Sequence, residues 1–298
     1  MPDERLRELR ELRATQPGLV AVRAARRRRR PLLGPDGRLM IIAADHPARG
    51  VLGVRGDATA MANRDELLSR VLVALGRPGV DGLLATADIA EDLLLLGALD
   101  DKVVIGSMNR GGLQGASFEL DDRFTGYDPA TIAAMGFNGG KMLVRIDLDD
   151  PATAATLAAA AAAITELGSR GLVAMVEPFL CRRVDGRVTS ELSAAAVAKS
   201  AGIVSGLGAT SSYTWLKLPV VQDMADAVAA TTLPVLLLGG DPQGPAERTY
   251  ARWAAALSLP GVRGFVVGRA LLYPPDDDVA GAVDAAVALV HAGSGALR

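Results

Sequence analysis

Two lysines of this sequence lie within short apolar segments. Lysine occupies only four of the 32 basic positions, and two of the four, Lys141 and Lys217, are flanked by apolar residues. Burial disfavours the charged form of a lysine, whereas arginine stays protonated in proteins. A neutral amine can attack a ketone or an aldehyde and form an iminium, or Schiff base. We predict that Lys217 is such a nucleophile and that Lys141 lowers its pKa or helps to bind substrate. The alternative for both is a structural ion pair with a carboxylate.

Carboxylates end two other apolar segments. Asp45, followed by His46, ends the first segment, and Glu177 ends the fifth, where Pro178 is expected to stop the strand. A carboxylate close to a lysine can move protons as a general acid or base. We predict catalytic roles for Asp45 and Glu177, with a turn cap and a structural ion pair as the respective alternatives. For His46 the sequence leaves the choice open.

Glycine turns follow the last two apolar segments. Gly239 and Gly240 end the seventh, and Gly268 and Arg269 end the eighth. Glycines allow backbone N–H groups to approach an anion closely, and an arginine adds a fixed charge. We predict that these four residues bind a phosphate group, the alternative being ordinary tight turns. Arg145 interrupts the fourth segment and is a candidate for holding a second anion.

The eight apolar segments alternate with amphipathic stretches. Each is short and almost continuously apolar, as buried parallel strands are. No dinucleotide-binding fingerprint follows the first segment, which disfavours an open sheet. The alternation predicts a (β/α)8 TIM barrel spanning residues 1–298 as one domain, with an N-terminal helical, Arg-rich extension at 1–37. The predicted strands are 39–44, 82–86, 103–106, 142–146, 171–176, 215–218, 235–238 and 264–267.

Two regions fall outside this alternation. Residues 107–139 form its longest interruption, and a long loop after a barrel strand is expected to act as a lid or substrate loop. The run Arg26 to Arg30 suggests either a phosphate or nucleic-acid contact or, as we prefer, a solvated extension or oligomer contact.

Composition excludes several classes of protein. The net charge is −2 with mixed signs, so no nucleic-acid or membrane partner is expected. The single cysteine, Cys181, and a charged N-terminus without a signal-peptide core favour the cytoplasm. Two histidines cannot supply a three-histidine zinc site from one chain, and we expect neither a metal nor another cofactor.

Taken in order, these residues resemble the class I (Schiff-base) aldolase superfamily of deoxyribose-phosphate, archaeal-type fructose-bisphosphate and tagatose-bisphosphate aldolases. The resemblance covers residues 38–290 and implies a Schiff base on Lys217, with Asp45 and Lys141 beside it. Archaeal-type enzymes use a tyrosine as proton donor where this chain has Glu177, so Tyr213 or Tyr127 are alternatives for that role. The resemblance is strongest at Ala44-Asp45-His46, Trp215-Leu216-Lys217, Leu238-Gly239-Gly240 and Val267-Gly268-Arg269.

The sequence is most similar to an actinobacterial deoxyribose-phosphate-aldolase-like branch associated with myo-inositol catabolism. That likeness implies cleavage of 2-deoxy-5-keto-D-gluconate 6-phosphate to dihydroxyacetone phosphate and malonic semialdehyde. Arg145 or Arg110 would then bind the carboxylate, and homo-oligomers are common in the family. Alternatives are a deoxyribose-phosphate, fructose-bisphosphate or tagatose-bisphosphate aldolase, a transaldolase, or a non-catalytic phosphosugar-binding protein.

Overall fold

Eight parallel strands close into a barrel in the computed structural model, which describes residues 4–240 and 246–291. Pairing runs β4-β3-β2-β1-β9-β8-β7-β5, and the β4–β5 pair closes the ring. The short strand β6 lies outside the barrel, antiparallel to the end of β5. The predicted TIM barrel is therefore confirmed. The strands are β1 Leu39–Ala43, β2 Gly82–Ala85, β3 Val103–Ser107, β4 Gly139–Ile146, β5 Val173–Val184, β6 Arg187–Ser190, β7 Thr214–Pro219, β8 Val235–Leu238 and β9 Val262–Val267.

Helices surround the barrel. Helix α3 begins directly after Asn63, whose side chain caps it by accepting hydrogen bonds from two backbone N–H groups of its first turn. None of the helices in the described residues is both long and apolar enough to cross a membrane. The helices are α1 Glu4–Thr15, α2 Leu19–Arg26, α3 Arg64–Leu75, α4 Ala87–Leu95, α5 Pro129–Ala134, α6 Ala152–Ser169, α7 Ala194–Ser205, α8 Met224–Val228, α9 Ala246–Leu257, α10 Arg269–Leu272 and α11 Val279–His291.

Alternation along the strands divides the core in two. One cluster of buried side chains packs under the helices, and a second, separate cluster lies inside the barrel. The second cluster includes Val173 and Met175 on β5 and Trp215 on β7. Since side chains two residues apart share a face of a strand, Glu177 and Lys217 continue these inward rows toward the carboxyl ends of their strands. The barrel fold thus aims two charged groups at its own axis.

Strand β5 runs further than the sequence predicted. The expectation that Pro178 stops the strand is wrong: β5 continues to Val184 and forms a hairpin with β6. Its pairing with β7 ends at Val176, whereas its pairing with β4 extends to Leu180. Beyond Val176 the strand is an edge, where proline is tolerated because fewer ladder hydrogen bonds are required.

The arginine run lies against the amino-terminal end of the barrel. Arg27 is 6% exposed and donates hydrogen bonds to three backbone carbonyls, including that of Gly136 at 2.8 Å. Arg30 forms an ion pair with Asp81, which is also buried. A solvated extension is therefore the wrong interpretation for Arg27 and Arg30, because their charges satisfy polar groups at this end of the barrel.

Candidate active site

Two lysines and a glutamate meet inside the carboxyl end of the barrel. Lys141, Glu177 and Lys217 come from the neighbouring strands β4, β5 and β7. One carboxylate oxygen of Glu177 accepts a hydrogen bond from Lys217 Nζ at 2.7 Å, and the other contacts Lys141 Nζ. All three side chains are buried, Lys141 completely. The sequence-predicted catalytic residues of these strands therefore form one bridged cluster.

Asp45 extends this cluster from the end of β1. Its Oδ2 atom accepts a hydrogen bond from Ser107 Oγ at 3.0 Å, contacts Arg110, and lies 3.4 Å from Lys141 Nζ. Its Oδ1 atom has no hydrogen-bond partner in the described structure and lies 4.0 Å from His46 Nδ1. The predicted residues Asp45, Lys141, Glu177 and Lys217 thus form one continuous chain of charges.

A cavity of about 480 Å³ opens above the cluster. Lys217, Glu177, Asp45, His46 and Arg110 line it, whereas Lys141 does not. A ligand in the cavity can therefore reach the amine of Lys217, while the amine of Lys141 lies behind the two carboxylates. This difference in access supports the assignment of the nucleophilic role to Lys217.

Burial and an excess of positive charge favour a neutral amine. Burial lowers the pKa of Lys217, and the charges of Arg110 and Arg269 lower it further, although Glu177 opposes them. Burial and Arg110 hold the pKa of Lys141 well below its ordinary value. Burial raises the pKa of Glu177, but the neighbouring lysine charges outweigh it and bring that pKa below its usual range. The carboxylate therefore stays ionised, and one lysine can give up its proton at low cost.

The two predicted glycine turns lie on the same cavity. Gly239, Gly240, Gly268 and Arg269 all line it, at the ends of β8 and β9. Gly240 has a φ of +65°, and a Cβ atom on Gly268 would lie 2.3 Å from the carbonyl oxygen of Ala43. The backbone conformation at Gly240 favours glycine, and the close approach at Gly268 requires it. Neither residue has a side chain that would cover its backbone N–H group on the cavity side.

Arg145 faces the cavity but is already paired. Its guanidinium donates to the Asp122 carboxylate at 2.9 Å from Nε and 2.6 Å from Nη2, and it lies 3.5 Å from Glu119. Beside it, Arg49 makes one guanidinium hydrogen bond to a described residue, to the Gly112 carbonyl at 2.9 Å, and its Nη2 is 3.8 Å from Glu119. Arg49 is thus the less committed of the two arginines.

Sequence reasoning missed some cavity residues and misplaced others. Arg49 follows Asp45 by four positions in the same loop, which is the one signal that could have indicated it. Tyr213 precedes β7, at the opposite end of the barrel, and Tyr127 packs outside β3 against Gly106. Neither tyrosine lines the cavity, so the expectation that one of them donates a proton there is wrong.

The long segment 107–139 contributes Arg110 and Glu119 to the cavity wall and includes the short helix α5. It is fastened to the barrel by Asn109, whose side chain exchanges hydrogen bonds with the backbone of Leu143 at 2.6 and 2.7 Å.

Within the described residues, no group of histidine, cysteine, aspartate and glutamate side chains is arranged to hold a metal ion.

One known structure is similar to this chain over nearly its whole length. The crystal structure of Cgl0159 from Corynebacterium glutamicum (Brevibacterium flavum) is 56% identical, covers 97% of this chain and 98% of its own, and superposes with a TM-score of 0.95. No curated protein matches significantly.

Two more distant structures share the fold. A Schiff-base-forming fructose-1,6-bisphosphate aldolase is 20% identical, covering 91% of this chain and all of its own, with a TM-score of 0.64. An archaeal fructose-1,6-bisphosphate aldolase with its catalytic lysine bound to a carbinolamine is 18% identical, covering 91% and 99%, with a TM-score of 0.66. The Cgl0159-like family model matches residues 37–287, and the chain therefore belongs to the Cgl0159-like family.

Proposed function

We propose that this protein is a class I aldolase that cleaves a phosphorylated keto sugar or sugar acid through a Schiff base on Lys217. One observation carries the proposal: a buried lysine faces a cavity at the carboxyl end of a barrel and is held at 2.7 Å by a glutamate that also contacts a second lysine. The distant structures of the same fold include aldolases described as Schiff-base-forming.

The first half of the reaction forms the iminium. Neutral Lys217 attacks the substrate ketone, and Glu177, in hydrogen-bond contact with the amine, moves protons as the carbinolamine loses water. Asp45 assists through Lys141, which lies between the two carboxylates. The iminium then accepts the electron pair of the breaking C–C bond, which leaves an enamine on Lys217 and releases an aldehyde.

The glycine turns are assigned to the substrate phosphate. Backbone N–H groups at Gly239, Gly240 and Gly268, with the charge of Arg269, suit a phosphate at the ends of β8 and β9. Lys217 lies on β7, next to β8 in the barrel. A phosphate held there would place the adjoining carbons of the substrate close to the amine.

We extend the proposal to a substrate with a second anionic group. In the ring of eight strands, β4 lies four positions from β9 and so faces it across the barrel. Arg145 on β4, with Arg49 beside it, is therefore opposite the phosphate turns, with Lys217 between. A carboxylate on the far end of the substrate would meet Arg49. This arrangement supports 2-deoxy-5-keto-D-gluconate 6-phosphate as the substrate and a place in myo-inositol catabolism.

Borohydride reduction in the presence of dihydroxyacetone phosphate tests the mechanism. We expect a reduced adduct on Lys217, identified by intact and peptide mass spectrometry, and none on the exposed Lys199. The variant Lys199→Met should give the wild-type yield, and Lys217→Met should give none. An adduct on Lys141 would contradict the assignment of the two lysines.

Other outcomes separate the remaining alternatives. If phosphosugars bind and no adduct forms with any ketone or aldehyde phosphate tested, the chain is a phosphosugar-binding protein without turnover. If an adduct forms, product analysis with candidate sugar phosphates distinguishes the proposed cleavage from deoxyribose-phosphate, fructose-bisphosphate or tagatose-bisphosphate cleavage and from transaldol transfer.

A further inference from the structure

His46 occupies an unusual position on the cavity wall. It follows Asp45 directly and begins the turn Pro47–Arg49. Its Nδ1 atom is enclosed and has no hydrogen-bond partner in the described structure, and it lies 4.0 Å from Asp45 Oδ1, which also has none. The ring lines the cavity, and Nδ1 but not Nε2 is among the enclosed atoms without a partner, so Nε2 is assigned to the cavity side.

The other carboxylates that the structure describes on the cavity wall are already paired with cations. Glu177 bridges two lysines, and Asp45 Oδ2 is held by Arg110. Glu119 lies within 4 Å of two arginine side chains. None of the four tyrosines of the chain is among the residues that line the cavity. Among the described residues that line the cavity, His46 is thus the one that retains an unpaired basic nitrogen suited to proton transfer.

We propose that His46 is the catalytic proton-transfer residue of this aldolase, an inference that rests on the proposed function. In the cleavage direction, His46 Nε2 takes the proton of the substrate hydroxyl as the C–C bond breaks. The electron pair of that C–C bond moves into the iminium. The products of this step are an aldehyde, the enamine on Lys217 and an imidazolium. The imidazolium then returns its proton to the enamine carbon, which regenerates the iminium, and water releases the ketone.

Asp45 has a defined part in this step. A charged imidazole carries a proton on Nδ1, and the unpaired Asp45 Oδ1 atom is the acceptor facing it. In the neutral ring, the same carboxylate favours the tautomer with hydrogen on Nδ1, which leaves the lone pair on Nε2 toward the cavity. Asp45 therefore orients the ring for the transfer, as well as contacting Lys141.

The phosphate turn touches the imidazole, which links proton transfer to substrate charge. A Cβ atom on Gly268 would lie 2.8 Å from His46 Cε1. Burial lowers the pKa of His46 well below its ordinary value. The positive charges of Arg269, Lys217 and Lys141 lower this pKa further, and the negative charge of Glu177 raises it. A phosphate dianion bound at Gly268 and Arg269 would offset that positive charge and stabilise the imidazolium. Phosphorylated substrates should therefore activate their own base.

Two readouts on one sample test the proposal. With dihydroxyacetone phosphate in D2O, borohydride reduction reports the Lys217 adduct. NMR reports the exchange of one proton of dihydroxyacetone phosphate for deuterium, at the carbon that becomes the enamine carbon. We expect His46→Asn to keep the adduct while exchange falls by about 100-fold or more. The matched control His291→Asn changes the only other histidine, at the opposite end of the barrel, and should keep both signals.

The outcomes separate the two levels of the argument. An adduct with wild-type exchange in His46→Asn would overturn the role of His46 and leave the aldolase intact. Absence of an adduct in the wild-type protein would overturn the proposed function and this inference with it. Should His46→Asn not fold, His46→Gln carries the same test.

A measurement on the unchanged protein is independent of folding in the variants. With two histidines in the chain, NMR of 15N-labelled imidazoles resolves each ring. We expect saturation with inorganic phosphate to raise the pKa of His46 by about one unit or more and to leave His291 unchanged. A His46 ring whose signals and pKa do not respond to bound phosphate would overturn the coupling.

Discussion

The two histidines of this chain lie at opposite ends of the barrel in opposite electrostatic surroundings. At the amino-terminal end, His291 Nδ1 lies 2.5 Å from Asp36 Oδ2, and its Nε2 lies 3.3 Å from Asp81 Oδ2. The hydrogen bond to Asp81, against the effect of burial, helps to raise the pKa of His291 to about 9. At the carboxyl end, burial and nearby cations lower the pKa of His46.

The balance of charges explains this difference. Around His291, two carboxylates surround the imidazole, and Asp81 also accepts from Arg30 and from the Met40 N–H group at 2.7 Å. In the part of the chain that the structure describes, the cations around His46 outnumber the carboxylates: Lys141, Lys217, Arg110 and Arg269 lie near Asp45 and Glu177. The cluster around His291 pairs its charges internally, as a structural cluster does. The cluster at the carboxyl end leaves an excess of positive charge that suits an anionic ligand.

Replacement of the nucleophile should separate activity from stability most strongly. We expect Lys217→Met to reduce kcat/KM by about 10³-fold or more, as removal of other catalytic nucleophiles does. The free energy of unfolding should not fall, because Glu177 keeps Lys141 as its partner and an apolar side chain of similar length avoids the burial of a charge. Steady-state kinetics and urea denaturation measure the two effects.

The matched change at the amino-terminal end of the barrel, Asp81→Asn, should lower stability and leave activity unchanged. Asp81→Asn deprives Arg30 and His291 of a buried carboxylate, so the free energy of unfolding should fall by roughly 2–4 kcal/mol. Its kcat/KM at a temperature where it is folded should equal that of the wild-type protein. If Lys217→Met destabilises the protein as much as Asp81→Asn does, the cluster at the carboxyl end is structural as well.

The strands were predictable because a buried parallel strand has a simple signature. All eight apolar segments coincide with barrel strands to within a few residues, except at the end of β5, which runs on to Val184. Lys141, Glu177 and Lys217 stood out because charged residues within such segments must face either the barrel interior or a partner. The alternation along β5 and β7 places Glu177 and Lys217 on the interior face, and this much of the site follows from the sequence.

Contacts between distant loops were not predictable. That Arg145 is paired with Asp122 depends on how residues 107–125 fold back, which no local pattern encodes. Pro178 was misjudged because its effect depends on whether β5 has a neighbour on both sides at that level. Lys217 was predicted as the nucleophile, but its access to the cavity, which Lys141 lacks, depends on the packing of side chains from several strands.

Arg49 should tune substrate choice with an intermediate effect. We expect Arg49→Gln to raise KM about 10- to 100-fold for a substrate with a phosphate and a carboxylate, since a charge-assisted hydrogen bond contributes about 1.5–3 kcal/mol. Trapping of Lys217 by dihydroxyacetone phosphate, which has no second anion, should be unchanged. Arg123→Gln, an exposed arginine of the loop near Arg145, is the control and should change neither. Equal losses with both ligands would show that Arg49 shapes the whole cavity.

The smallest expected effect is the pH dependence of stability from His291. Its pKa is about 9 in the folded protein and about 6.5 in an unfolded chain, so folding favours its protonated form. The stabilisation is complete below pH 6.5 and is lost as the pH rises through 9. Because the side chain is partly exposed, we expect a loss of about 1–3 kcal/mol over this window. Urea denaturation between pH 6 and pH 10 measures it, and His291→Gln should remove most of this slope while His46→Gln keeps it. A slope that persists in His291→Gln would mean that other groups set the pH dependence, and the contrast between the two ends of the barrel would then not reside in their histidines.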